Sequence, residues 1–158
     1  MPASSDTHSH TTVIACLTVR DATSAFEFYQ QAFDAKAHIM LRTPEGKLAH
    51  GEIRIGDAQV MLVEEFPDGE LASPQTLGGA GVSLLVYVDD IDKVYAHAVA
   101  AGADILNPIE NQFYGDRAGT VRDPFGHVWT IASKIEELSK QEIERRAETF
   151  FKDASSKL

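Results

Sequence analysis

His50, Glu52 and Arg54 alternate along one stretch of this chain of 158 residues, and Glu64 follows beyond a Gly56-Asp57 pair. Alternating residues share one face of a β-strand, so an imidazole, a carboxylate and a guanidinium face the same way. A tight turn at Gly56-Asp57 would fold Glu64 back beside them. His50 with Glu52 or Glu64 then suits a metal ion, or an acid and base pair acting on a small substrate. The same pattern also suits a rim of hydrogen-bonding side chains, because Ile53 and Ile55 occupy the opposite, apolar face. Both readings stay open at this level.

A second group lies downstream. Tyr114, Asp116, Arg117 and Arg122 precede the turn Asp123-Pro124-Phe125-Gly126. Arg117 has the forked geometry that clamps a carboxylate or phosphate, and Tyr114 offers a hydroxyl and a ring face. Alternatively Asp116 and Asp123 pair with the arginines and only fix the loop. Beyond the turn, His127 and Trp129 share one strand face and Thr130 takes the other. His127 is a third candidate for acid and base work; the alternative is a histidine satisfied by its neighbours. Trp129 is expected to pack beneath a helix or at a subunit contact.

The elements that position these residues come as a repeat. Ile14 to Asp21 (IACLTVRD) recurs 69 positions on as Ser83 to Asp90 (SLLVYVDD), and Gly56 to Val63 recurs as the Asp123 to Ile131 segment with an offset of 68. Alternating apolar residues predict a strand at about 12 to 20, and Phe26, Tyr29, Ala32 and Phe33 predict a helix over about 22 to 33. Strands follow at 36 to 43, 47 to 55 and 58 to 65. The second unit repeats the order with a strand at 82 to 88, a helix at 91 to 101, and strands near 104 to 109, 117 to 122 and 127 to 133. Ser139-Lys140-Gln141-Glu142 matches a capping box, so a last helix is expected over 139 to 152. Its apolar stripe of Ile143, Ala147, Phe150 and Phe151 needs a surface, either its own sheet or a partner subunit. The expected organisation is a disordered tail at 1–11, with His8 and His10, and a paired βαβββ domain at 12–135. That domain divides into module one (12–65), a connector (66–81) and module two (82–135). A C-terminal helix and tail fill 136–158.

The formal charge of -10 lies wholly in the repeated body: residues 1 to 133 hold 8 Lys and Arg against 18 Asp and Glu, and residues 134 to 158 hold 6 of each. Such a body repels a phosphate backbone, so nucleic acid is not an expected partner. No apolar run reaches the ~20 residues of a membrane helix, and the N-terminus lacks a secretory pattern. The only cysteine, Cys16, excludes an intramolecular disulfide, is expected as a small buried apolar residue, and suits a cytoplasmic location.

Two tandem βαβββ units, each with Val-x-Asp before the first helix, plus the run Tyr114-Gly115-Asp116-Arg117-Ala118-Gly119-Thr120-Val121-Arg122-Asp123-Pro124-Phe125-Gly126-His127-Val128-Trp129, resemble the vicinal oxygen chelate superfamily. This superfamily covers glyoxalase, bleomycin resistance and dioxygenase proteins, and the long run resembles its PhnB-like branch. The resemblance implies an α+β fold whose tandem modules form a cup-shaped sheet, with a C-terminal helix added. It also implies a small-molecule ligand and a homodimer. Members that are metal enzymes take one ligand from the first and one from the last strand of each module. Those places register here at Ile14, Leu62, Ser83 and Thr130, two aliphatics and two hydroxyls, so neither a metal nor another cofactor is expected. The cup residues expected to meet a ligand are Ser83, Thr130, Leu62, Ile14, Tyr114, Arg117 and Glu52. The alternative is a lyase, isomerase or transferase using His50 with Glu64, or His127, with or without a displaced metal.

Overall fold

The computed structural model describes residues 11–157, so the expected N-terminal tail lies outside the described residues except for Thr11. The first unit runs β1 (Cys16–Val19), α1 (Ala22–Phe33), β2 (Lys36–Arg42), β3 (Leu48–Ile55) and β4 (Ala58–Glu64). The connector contributes one turn of helix, α2 (Pro74–Leu77), where no periodicity predicted an element; Ser73 caps it by accepting from Thr76 N. The second unit runs β5 (Ser83–Tyr87), α3 (Ile91–Ala100), β6 (Asp104–Asn111), β7 (Asp116–Arg122) and β8 (Val128–Lys134), and α4 (Lys140–Ser155) closes the order.

The acidic residue ending each Val-x-Asp starts a helix by chemistry that short sequence carries. Asp21 accepts from Ser24 N at 3.0 Å and Asp90 from Lys93 N at 3.1 Å, each satisfying a first-turn donor. Ser139 does the same for Glu142 N at 3.2 Å, but the Glu142 carboxylate turns to Arg145 and Arg146.

Two separate four-stranded sheets result, in the orders β1-β4-β3-β2 and β5-β8-β7-β6, with β1 parallel to β4 and β5 parallel to β8. They do not close into a barrel. Cys16 pairs with Met61 in the first sheet and Leu85 with Thr130 in the second. Both strands of the repeat are therefore related by 69 positions, not 69 and 68. The last-strand equivalent of Thr130 is Met61; Leu62 corresponds to Ile131.

One face of each sheet is covered. Leu17, Val19, Ile53, Val60 and Leu62 of the first sheet and Val121, Trp129 and Ile131 of the second join Phe28, Tyr29, Phe33 and Tyr95 of the helices in a single core. Trp129 meets Phe33 at 4.7 Å and Tyr29 at 5.5 Å between ring centroids, so the first module's helix packs on the second module's last strand. Burying these aromatics contributes roughly 1.5–3 kcal/mol per side chain. The C-terminal helix buries none of its residues in this chain. Arg146 bonds both Glu136 oxygens at 3.0 Å and the Phe113 carbonyl at 3.3 Å, and Phe150 packs on Phe113 with ring centroids 4.9 Å apart and planes tilted by 34°.

Candidate functional site

Alternation sends every second side chain of each sheet away from that core. On the second sheet the registered rows of the uncovered face read Ser83 with Val128 and Arg122, Leu85 with Thr130 and Thr120, then Tyr87 with Ala132 and Ala118. Leu85 and Tyr87 are 56% and 55% exposed, large apolar area presented by the edge strand β5. Thr120 and Thr130 share a hydroxyl hydrogen bond at 3.1 Å. The Tyr87 hydroxyl donates to Asp116 Oδ2 at 2.7 Å, which requires its ring to cross β8 at Ala132 and reach β7.

On the first sheet the same face carries Cys16, Met61 and Glu52 in one row and Thr18 with Val63 in the next, His50 standing two residues before Glu52 on the same strand. His50 Nε2 and Glu52 Oε1 lie 2.9 Å apart, both partly exposed. Cys16 is exposed, contrary to the expected buried residue, because Leu17 and Val19 take the inward positions of its strand.

Several expected site residues stand elsewhere. Leu62 is 0% exposed and belongs to the core, the consequence of a one-residue difference in register. Ile14 precedes β1 and Ser83 begins β5, and both are exposed. The Glu64 carboxylate accepts from the Leu48 backbone N–H, so the turn does form but delivers Glu64 to the backbone and not to His50. Arg117 projects to the helix side, where it grips both Asp92 oxygens at 3.1 and 2.7 Å and Asn111 at 3.1 Å. Its partner is a helix carboxylate, not Asp116. Tyr114 stands half-exposed in the β6–β7 turn, and burial together with the Asp116 charge raises its phenol above the ordinary value.

The second-module turn is a structural lock. Asp123 is buried and takes four hydrogen bonds: Tyr29 Oη at 2.6 Å, Trp129 Nε1 at 3.0 Å, and the Phe125 and His127 N–H groups at 2.9 Å each. It pairs with no arginine. His127 Nε2 lies 3.0 Å from the Thr18 carbonyl, which can only accept, so this nitrogen donates. The Asp-Pro-Phe-Gly-His run thus joins the modules instead of facing a ligand.

Met61, Leu85, Tyr87 and Thr120 enter the site without having been singled out in the sequence, and Asp116, weighed as a partner of the arginines, accepts from Tyr87 instead. Stepping by two from Thr130 and carrying the strand pairing across would have found Leu85 and Thr120; the Tyr87–Asp116 contact spans a strand and has no local signature.

The metal that this kind of fold commonly carries does not fit these residues. Its four register positions hold Ile14, Met61, Ser83 and Thr130, an aliphatic, a thioether and two neutral hydroxyls. Such groups are poor donors for a hard or borderline divalent ion. Among the described residues no three His, Cys, Asp or Glu side chains converge as a ligand set.

Comparison with known proteins agrees with this architecture. The model of the Glyoxalase/Bleomycin resistance protein/Dioxygenase superfamily matches residues 9–131. An uncharacterized protein of Mycobacterium bovis is 40% identical over 131 residues, covering 81% of this chain and 86% of that protein. The crystal structure of TioX from Micromonospora sp. ML1 aligns with a TM-score of 0.60 at 25% identity, covering 82% of this chain and all of TioX (100%). The PhnB protein of Bacillus cereus, at 20% identity, shares the fold with a TM-score of 0.62 over 78% of this chain and 99% of its own. The chain belongs to the Glyoxalase/Bleomycin resistance protein/Dioxygenase superfamily.

Proposed function

We propose that this superfamily member holds a small organic molecule against the uncovered face of its second sheet, without the divalent metal, and that a second copy of the chain completes the cup. The observation that carries this reading is the donor chemistry at Ile14, Met61, Ser83 and Thr130, which suits packing and hydrogen bonding and not metal ligation. Ser83, Thr130 and Thr120 supply hydroxyls, Leu85 supplies apolar contact and Tyr87 and Tyr114 supply ring faces. From the first module, Ile14, Glu52 and Met61 are the corresponding contacts, with Met61 replacing Leu62.

The exposed Leu41, Leu85 and Tyr87 support the dimer, because three large side chains bare on sheet surfaces call for a cover. The lone Cys16 is in keeping with a reducing cytoplasm. No helix among the described residues is long and apolar enough to cross a membrane.

An enzyme using His50 with Glu64, or His127, is not favoured. Glu64 is committed to Leu48 N and His127 Nε2 to Thr18 O, which leaves only the His50–Glu52 pair free for chemistry.

Thermal-shift screening of small metabolites and antibiotics tests the proposal, since a ligand that binds only the folded state raises the melting temperature. Hits that lose their effect in Leu85→Asp are expected. Hits that shift this variant as much as the parent protein would place binding elsewhere. Sedimentation should report a dimer; a monomer at micromolar concentration removes the second-copy part.

A further inference from the structure

The geometry points to Asp116, Tyr87 and Tyr114 as a subsite for the cationic group of the ligand, a protonated amine or quaternary ammonium. This deepens the binding reading above and rests on it.

Asp116 is 4% exposed, yet its neighbours leave its charge uncompensated. Among the described residues its carboxylate has one side-chain hydrogen bond, from the neutral Tyr87 hydroxyl to Oδ2 at 2.7 Å, and it forms no ion pair. Oδ1 has no partner, and it is not sealed, since no buried side-chain oxygen or nitrogen in the described protein lacks one. Lys134, opposite Asp116 in the ladder, is exposed and does not reach it. Arg117, next in sequence, is turned to the other face and held by Asp92. A largely buried carboxylate with one open oxygen and no ion pair is placed to receive a counter-charge at that oxygen.

The surroundings select the counter-charge. The hydrogen bond to Asp116 and burial raise the Tyr87 phenol, and burial with the Asp116 charge raises that of Tyr114, so both rings, neutral near pH 7 like any phenol, stay neutral to higher pH than usual. Two neutral aromatic faces beside a carboxylate attract an organic cation through the ring quadrupole and the charge together. A phosphate or carboxylate would be repelled. The net charge of -10 adds attraction at longer range.

Geometry also bounds the ligand. Ser83 and Tyr87 lie four strand positions apart, roughly 13 Å. A molecule that reaches both carries its cation at Asp116 and a less polar body over Leu85 and Thr130 toward Ser83.

Titration with benzyltrimethylammonium chloride and, separately, with neutral benzyl alcohol, followed through tyrosine ring signals by NMR, tests the subsite. Asp116→Asn is the matched variant, because its amide oxygen still accepts from Tyr87 and the strand-crossing contact survives. The expected result is movement of the Tyr87 and Tyr114 signals with roughly tenfold tighter binding of the cation than of the alcohol, a preference that Asp116→Asn abolishes. Equal binding of the two compounds, or a preference that survives in Asp116→Asn, overturns the cation subsite and leaves ligand binding on this face standing. No movement with either compound at tens of millimolar overturns both. Should Asp116→Asn fail to fold, a reduced cation preference in Tyr114→Leu, which removes one ring and leaves the Tyr87–Asp116 hydrogen bond in place, supports the subsite and an unchanged preference overturns it.

Discussion

Tyr29 Oη donates to Asp123 Oδ2 at 2.6 Å across 94 positions of chain, joining the helix of the first module to the final turn of the second. Both groups are buried, and Trp129 Nε1 shares the same carboxylate oxygen. The two repeats are therefore tied by polar geometry as well as by the aromatic core.

Asp123→Ala leaves the Tyr29 hydroxyl, the Trp129 indole N–H and two backbone N–H groups without their acceptor. A loss of about 3–5 kcal/mol is expected, against about 1.5–3 for Tyr29→Phe, which removes one donor to a charged group. Urea unfolding followed by emission of Trp129, the only tryptophan, measures both. Equal and small losses would deny Asp123 its role as the common acceptor.

Burial, followed by the Asp123 charge, raises the Tyr29 phenol well above its ordinary value. A raised folded value contributes stability that is fully present below the unfolded tyrosine pKa near ~10 and is lost as pH rises through the folded value. Alkaline unfolding above that point should therefore weaken in Tyr29→Phe. An unchanged alkaline profile relative to each protein's own neutral stability would show that Tyr29 does not titrate on unfolding.

Gly51 and Gly119 hold equivalent places on β3 and β7. A Cβ at Gly51 would meet the Leu62 carbonyl oxygen at 2.6 Å, and one at Gly119 would meet Tyr95 Cε2 at 2.7 Å. Alanine at either site costs about 1–3 kcal/mol, with Gly51 the worse because a strand carbonyl cannot step aside as a ring can. Thermal denaturation orders the two; a milder Gly51→Ala would contradict this packing.

The C-terminal helix is held at its start by charge. Hydrogen bonds from Arg145 and Arg146 bring Glu142 down to about 2. A lowered folded value gives stability that is present above the ordinary glutamate value of about 4.3 and lost as pH falls through the folded value. Hydrogen exchange across 140–155 should accelerate between these limits, and Arg146→Ala should show the acceleration at neutral pH. Exchange that ignores both changes would mean that the aromatic contacts of Phe113 hold the helix unaided.

Local chemistry made much of the fold legible. Asp21, Asp90 and Ser139 announce helices because a capping side chain acts within three residues, and strand alternation survives in both copies of the repeat. Leu62 was misplaced because a strand has period two, so one position of error exchanges core for open face. Leu48 for Glu64, Asp92 for Arg117 and Tyr29 for Asp123 lie 16, 25 and 94 positions away, and no spacing rule reaches them. Asp116 was noticed but its partner was not, for the same reason: that partner, Tyr87, is a tyrosine two strands distant.

The most direct test of ligand binding without metal joins elemental analysis of tag-free protein to ligand titration with and without a chelator. The account predicts substoichiometric zinc, nickel, iron and manganese, and the same ligand affinity in both titrations. One tightly held divalent ion per chain, or binding that vanishes on chelation and returns with metal, would contradict it.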